Sequence, residues 1–168
     1  MNPATSGTPE SLGDQAFVDK ALQGGDAEVD LGQLAEQKSQ SNDVKQFAQK
    51  MVADHTQMAD KLFKPVARQL GVTPPKGPSK KDKKIIAKLQ DLSGTAFDTE
   101  YIQTMVKDHK QDLKDFKEEA ESTQNPMVKQ AAQEGATVVS QHLQLIEQIA
   151  KNHKVDVEGK SKDISSIK

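Results

Sequence analysis

Four stretches of about 25 residues, separated by short Ser-, Asn-, Gly- and Pro-containing breaks, return an apolar side chain to one helical face at every third or fourth position. The first, over residues 14–38, aligns Phe17, Ala21, Gly24, Glu28, Leu31 and Ala35. The second follows the capping residues Ser41-Asn42-Asp43 and carries Val44, Phe47, Met51, His55, Met58, Leu62, Val66 and Leu70, with a kink expected at Pro65. Ser93-Gly94-Thr95 precedes the third, on which Phe97, Tyr101, Ile102, Met105, His109, Leu113 and Phe116 share a face. Asn125-Pro126, a cap followed by proline at the first helical position, opens the fourth, which runs to about Asn152 with Val138, Val139, His142, Leu145, Ile146 and Ile149 inward. No alternating strand pattern competes, so the chain is all-α and four amphipathic helices must bury their stripes against one another as a four-helix bundle.

The breaks set the connectivity. Two pairs of helices are joined by short turns, whereas Gly71 to Lys84, with Pro74-Pro75 and Gly77-Pro78, is a long link between the second and third helices that enters a short extra helix over Lys80 to Asp91. Ser79 with Asp82 three residues on is its capping signal. Such a link permits a crossover along the bundle, and an up-down-up-down arrangement with a looped-out link is the alternative. Gly24-Gly25 stands in mid-helix at ~1 kcal/mol per glycine relative to alanine, which points to close packing of a neighbour or a local irregularity.

Residues 1–13 read as a flexible leader, 14–153 as the bundle and 154–168 as a flexible tail. The leader lacks the basic and apolar regions of a signal peptide, which fits a cytoplasmic protein or a mature exported one. Lys+Arg and Asp+Glu nearly balance at a net charge of −2, and Tyr101 is the one aromatic besides phenylalanine, so nucleic acid is not an expected partner. Cysteine is absent, which removes disulfides, thiolate metal sites and cysteine nucleophiles. No apolar run is long enough for a transmembrane segment. Phosphate-loop, His-Glu-x-x-His and Gly-x-Ser-x-Gly patterns are missing, and no catalytic residues are assigned. Oligomeric state is not legible.

What remains is a polar residue on every apolar stripe. Met-Val-x-Asp-His occurs twice, as Met51 to His55 and as Met105 to His109, and each histidine has apolar residues at −4, −3 and +7. His142 lies on the fourth stripe and Glu28 on the first. At ~1.5 Å per residue, Glu28 and His55 lie ~15 and ~20 Å from the first turn, and His109 and His142 ~20 and ~25 Å from the third-to-fourth turn, heights that allow one layer. Three imidazoles and a carboxylate suit one transition-metal ion, zinc first, with copper or iron as alternatives; Met51, Met105 and Met58 on the same faces lean toward copper. The competing reading is a metal-free buried polar layer in which Glu28 accepts hydrogen bonds from the imidazoles and sets register. Asp54 and Asp108, turned by about 100°, either orient an imidazole from a neighbouring helix or face solvent. His153 reads as a solvated last-turn residue. Without Glu-x-x-His no di-iron centre is expected.

Gly24-x-x-x-Glu28-Val29, Lys45-x-Phe47-Ala48-x-x-Met51-Val52-x-Asp54-His55, Leu70-Gly71-Val72, Phe97-Asp98-x-x-Tyr101-Ile102-x-x-Met105-Val106-x-x-His109 and His142-Leu143 resemble the bacterial domain of unknown function 4142 over about residues 14–153. The resemblance implies a ferritin-like four-helix bundle and export, periplasmic or beyond; the partner expected from the residues themselves is a metal ion at the histidine layer or an envelope component. The resemblance implies no reaction. In ferritin-like di-metal proteins the Glu-x-x-His helices are the second and fourth, whereas the repeated block here lies on the second and third, so the resemblance does not carry a di-metal site with it.

Overall fold

The structure, a computed structural model, describes residues 9–157. The start of the expected leader and most of the expected tail lie outside the described residues. Helices α1 (Pro9–Lys38), α2 (Asn42–Met58), α3 (Lys64–Leu70), α4 (Lys80–Gln90), α5 (Gly94–Ser122) and α6 (Pro126–Asn152) succeed one another in that order, and a π-helical turn, Ala59–Phe63, joins α2 to α3. Helix α1 begins five residues before the expected start. At the other end Val155 and Val157 pack against the core, so the expected tail begins as packed chain.

Ser79 and Asn125 cap their helices through the side chain, whereas Ser41 and Ser93 stand at the N-cap without a side-chain capping bond. Asn125 Oδ1 accepts from the backbone N–H of Met127 and Val128, Ser79 Oγ accepts from that of Asp82, and Gly71 closes α3 at a φ of +71°. At Pro65 the chain has no N–H to give Lys61, and the turn before it widens so that the Lys64 N–H reaches Ala59 O. The extra residue rotates the side chains of α3 about the helix axis. Phe63, Val66 and Ala67 are buried where Leu62, Val66 and Leu70 were expected, and Leu62 and Leu70 are half-buried. On α6 Leu145 is 44 % exposed, outside the stripe the spacing assigned to it.

Helices α1 and α2 form one antiparallel hairpin and α5 and α6 the other; α1 also packs on α5 and α2 on α6, which leaves α2 diagonal to α5. Ser41 Oγ donates to Asp98 at 3.0 Å, so α2 and α5 start at the same end of the bundle. Asn125 Nδ2 donates to Gln69 Oε1 at 3.2 Å, so they also finish together. The long link therefore crosses the whole bundle, and the up-down-up-down alternative is excluded. Within it α4 lies against α1 and α5 with Leu89 fully buried.

The core falls into two apolar blocks. One gathers Leu31, Phe47, Met51, Phe97, Tyr101, Ile102, Met105 and Ile146, and the other Val18, Leu22, Met58, Phe63, Val66, Phe116 and Val139. Between them lies the level of His55, His109 and His142. Gly32 and Gly135 are where the helices approach most closely: a Cβ on Gly32 would stand 2.8 Å from Val52 Cγ2 and 3.0 Å from Ala48 O, and one on Gly135 2.7 Å from the Phe116 ring. At Gly24 an added Cβ would meet nothing within 4 Å. The expected close packing thus belongs to other glycines.

Candidate metal centre

Each of α2, α5 and α6 brings one imidazole to the axis because each histidine replaces an apolar residue on an otherwise continuous stripe. His55, His109 and His142 are 5, 0 and 0 % exposed, and one ring nitrogen from each lies within 4.8 Å of the others. Ring centroids are 5.3 Å apart for His55 and His142, 5.4 Å for His109 and His142 and 6.0 Å for His55 and His109. Phe47 covers one side, its ring 6.4 Å from His109 and 6.3 Å from His142.

Two of the three tautomers are set by bonds on the far side of the ring. His109 Nδ1–H donates to Met105 O at 2.7 Å, which leaves the Nε2 lone pair free. His142 Nε2–H donates to Asp54 Oδ2 at 2.7 Å, which leaves Nδ1 free. His55 Nε2, His109 Nε2 and His142 Nδ1 are all buried without a hydrogen-bond partner among the described residues. Only His55 retains a ring proton it can direct toward the others, so imidazoles alone cannot satisfy this layer. The two freed lone pairs and His55 Nε2, converging from three helices, are a donor set that suits a tetrahedral or trigonal cation site.

The electrostatics keep the rings neutral. Burial, then the neighbouring imidazoles, pushes His55 well below the usual histidine range, and burial with His142 brings His109 down to about 4. Burial also lowers His142 against the pull of Asp54. Although burial would raise the Asp54 carboxyl, hydrogen bonds from Lys50 and His142 hold it below its ordinary value; the Lys50 ammonium stands 2.8 Å away. Asp54 is therefore the ionised carboxylate that orients an imidazole of a neighbouring helix, one of the two roles its position allowed.

Glu28, expected as a fourth ligand, lies on α1. It is 3 % exposed, yet it is not part of the group formed by the three imidazoles. Its Oε2 is buried and unpartnered among the described residues. Burial, then repulsion from Asp108, Asp112 and Asp82, pushes its carboxyl well above the ordinary range. Burial and acidic neighbours likewise raise Asp108 to about 6 and Asp112 to about 7. The repeated block has two settings: Asp54 on α2 is bonded to His142 of α6, while Asp108 on α5 lines the same cleft as Glu28 of α1, whose carboxyl it repels. His153 is tied across the bundle as well, its Nε2–H donating to both Asp43 carboxylate oxygens at 2.9 Å. Helical spacing placed His153 in solvent because it does not say which residue of another helix lies within reach.

The fold is shared with two crystal structures of DUF305 proteins. A fragment from Deinococcus radiodurans superposes with a TM-score of 0.73 at 16 % identity, covering 86 % of this chain and 97 % of that one. A DUF305 protein from Streptomyces coelicolor gives 0.72 at 12 % identity, covering 86 % and 94 %. These likenesses establish a ferritin-like all-helical architecture. Comparison with curated proteins gives no match. Residues 1–149 match the model of a domain of unknown function, DUF4142, and with both repeated histidine blocks and His142 inside that span the chain belongs to the DUF4142 family.

Proposed function

We propose that this protein binds a single transition-metal ion through His55, His109 and His142, outside the cytoplasm and without a catalytic role. The observation that carries the reading is the convergence of three buried, unpartnered ring nitrogens, two of them presented by tautomers fixed from behind by Met105 O and Asp54. Zinc is the first choice for three neutral imidazoles, with copper or iron as alternatives. Glu28 is assigned to the neighbouring carboxylate group instead of to the ion. Export is supported by the name of the Streptomyces coelicolor neighbour, which describes it as secreted, and no helix among the described residues is long and apolar enough to cross a membrane.

Elemental analysis of protein purified without chelator, alongside a His55→Ala/His109→Ala variant, tests the reading. About one equivalent of metal in the parent and a trace in the variant is the expected result. Equal metal content in the two, or none in a parent dialysed against zinc, copper(I) and iron(II) in turn, overturns it and leaves a metal-free polar layer that sets helix register.

A further inference from the structure

On the side of α1 the imidazole layer is faced by glycine, and His55 Nδ1 is the ring atom nearest to it. Helices α2, α5 and α6 each fill it with a ring, whereas α1 presents Gly24 and Gly25, which at ~1.5 Å per residue stand at the height of His55 above the α1–α2 turn. Neither glycine is required by close approach: a Cβ on Gly24 would meet nothing within 4 Å and one on Gly25 only His55 Nδ1, at 4.0 Å. Adjacent mid-helix glycines weaken a helix, and what this pair provides is space. Beside them lies a cavity of about 30 Å³, enough for one water or one bare ion, which His55 alone of the three histidines borders, together with Met58 and Phe116.

Outside the notch, and sharing Lys20, Gly24 and Asp112 with that cavity, a cleft of about 300 Å³ opens between α1, α4 and α5. Glu28, Asp82, Asp108 and Asp112 line it, and the buried Glu28 Oε2 has no partner among the described residues. Two lysines share the cleft, and one of them, Lys20, is engaged by Asp115 at 2.7 Å. The groove on the opposite side, between α2 and α6, is less suited to a cation. It sets Lys50 and Lys61 against two acids, Asp54 and Glu134, where the cleft by α1 sets two lysines against four, and its Asp54 already holds His142 from behind.

We propose that the Gly24–Gly25 notch is the port by which a transition-metal cation reaches the three imidazoles, with the carboxylate cleft between α1, α4 and α5 as its collecting mouth. The proposal rests on the metal-binding reading above. An acidic funnel raises the local concentration of cations and their rate of arrival, while the gap in α1 removes the need for a helix to move aside.

Cobalt(II) uptake by the full chain, followed by stopped-flow visible absorption, tests it. Gly24→Leu, at a position where an added Cβ meets nothing within 4 Å, plugs the notch, and Gly24→Ala/Gly25→Ala narrows it with residues that favour helix. Association and dissociation should slow together by about tenfold in the plugged variant and less in the narrowed one, with the equilibrium constant unchanged. At pH 8, where the Asp112 carboxyl is ionised, Asp112→Asn should slow association and flatten its dependence on ionic strength, as expected for a steered encounter. Gln141→Leu, in the opposite groove, should change nothing. Unchanged association in folded notch variants, a loss of affinity without slower dissociation, or slowing by Gln141→Leu overturns the port while leaving the metal site standing. If the parent takes up no cobalt(II), the metal reading itself fails and the port with it.

Discussion

The histidine layer is decided by single protons. A buried imidazole offers one donor and one acceptor, and the bonds behind His109 and His142 use up the donors, so what faces the axis is acceptor. Asp54 does more than fill a hydrogen bond, because its charge favours the tautomer that frees His142 Nδ1. Asp54→Asn should keep the fold and lower zinc affinity by about 10–100-fold, read by competition titration with a chromophoric chelator; an unchanged affinity removes Asp54 from the site. The imidazoles titrate below their ordinary range, so the stability they lend to the metal-free protein is complete above about 6.5 and lost as pH falls toward about 4, where His109 protonates. Asp112 has the opposite sign. Its folded value of about 7 lies above the ordinary carboxylate range, so its contribution is present at low pH and lost as pH rises through neutrality. Asp112→Asn should accordingly stabilise the metal-free protein by about 2 kcal/mol at pH 8 and leave it unchanged at pH 4, measured by urea denaturation. Equal effects at the two pH values would mean that Asp112 carries its charge freely in the fold.

At the scale of the helix, spacing fixes which side chains turn inward until something changes the number of residues per turn. His55, His109 and His142 were legible because each interrupts an apolar stripe at its regular interval, and the repeated Met-Val-x-Asp-His ties two of them to equivalent places on α2 and α5. Asp54 was legible only as a position beside a helix boundary, since which neighbour it meets depends on packing. Past Met58 the spacing misleads, because the π-turn before Pro65 inserts a residue that a regular helical count does not contain, and Phe63 takes the place expected for Leu62. Glu28 shows the limit in height. Counted from the turns it falls ~5 Å short of His55, the same offset that separates His109 from His142, so height alone does not tell which residues share the imidazole group. The glycines show the limit in packing, since sequence cannot say which of them touches a neighbour. Their substitutions should have opposite signs: Gly24→Ala/Gly25→Ala raises stability by about 1–2 kcal/mol through helix propensity, whereas Gly32→Ala lowers it, because its methyl would press on Val52 and the Ala48 carbonyl. Thermal melts of the two variants, both without metal, check the contrast, and a destabilising Gly24–Gly25 replacement would show that the notch supports the fold.

Across the whole molecule, the crossover makes the two hairpins equivalent in arrangement but unequal in what they present. Helices α2 and α5 run parallel on a diagonal and carry the repeated block; α6 answers with His142, and α1 answers with a glycine notch and Glu28. One ion held by α2, α5 and α6 would join a helix of the first hairpin to both helices of the second, across an interface where α2 touches α6 far less extensively than α5 does. Because the three donors belong to separate helices brought together only by folding, the unfolded chain has no comparable site, and binding must add to stability by mass action. At a free zinc concentration ~1,000 times the dissociation constant the gain is about 4 kcal/mol, and EDTA should remove it. The gain should disappear in His55→Ala, which removes the one ligand that the first hairpin contributes. It should survive in Glu28→Gln, since Glu28 lies outside the imidazole group. Paired melts of parent and both variants with zinc and with EDTA separate the roles. Equal melting of the parent under the two conditions removes the ion from the account of stability, and loss of the zinc increment in Glu28→Gln would return Glu28 to the ligand set.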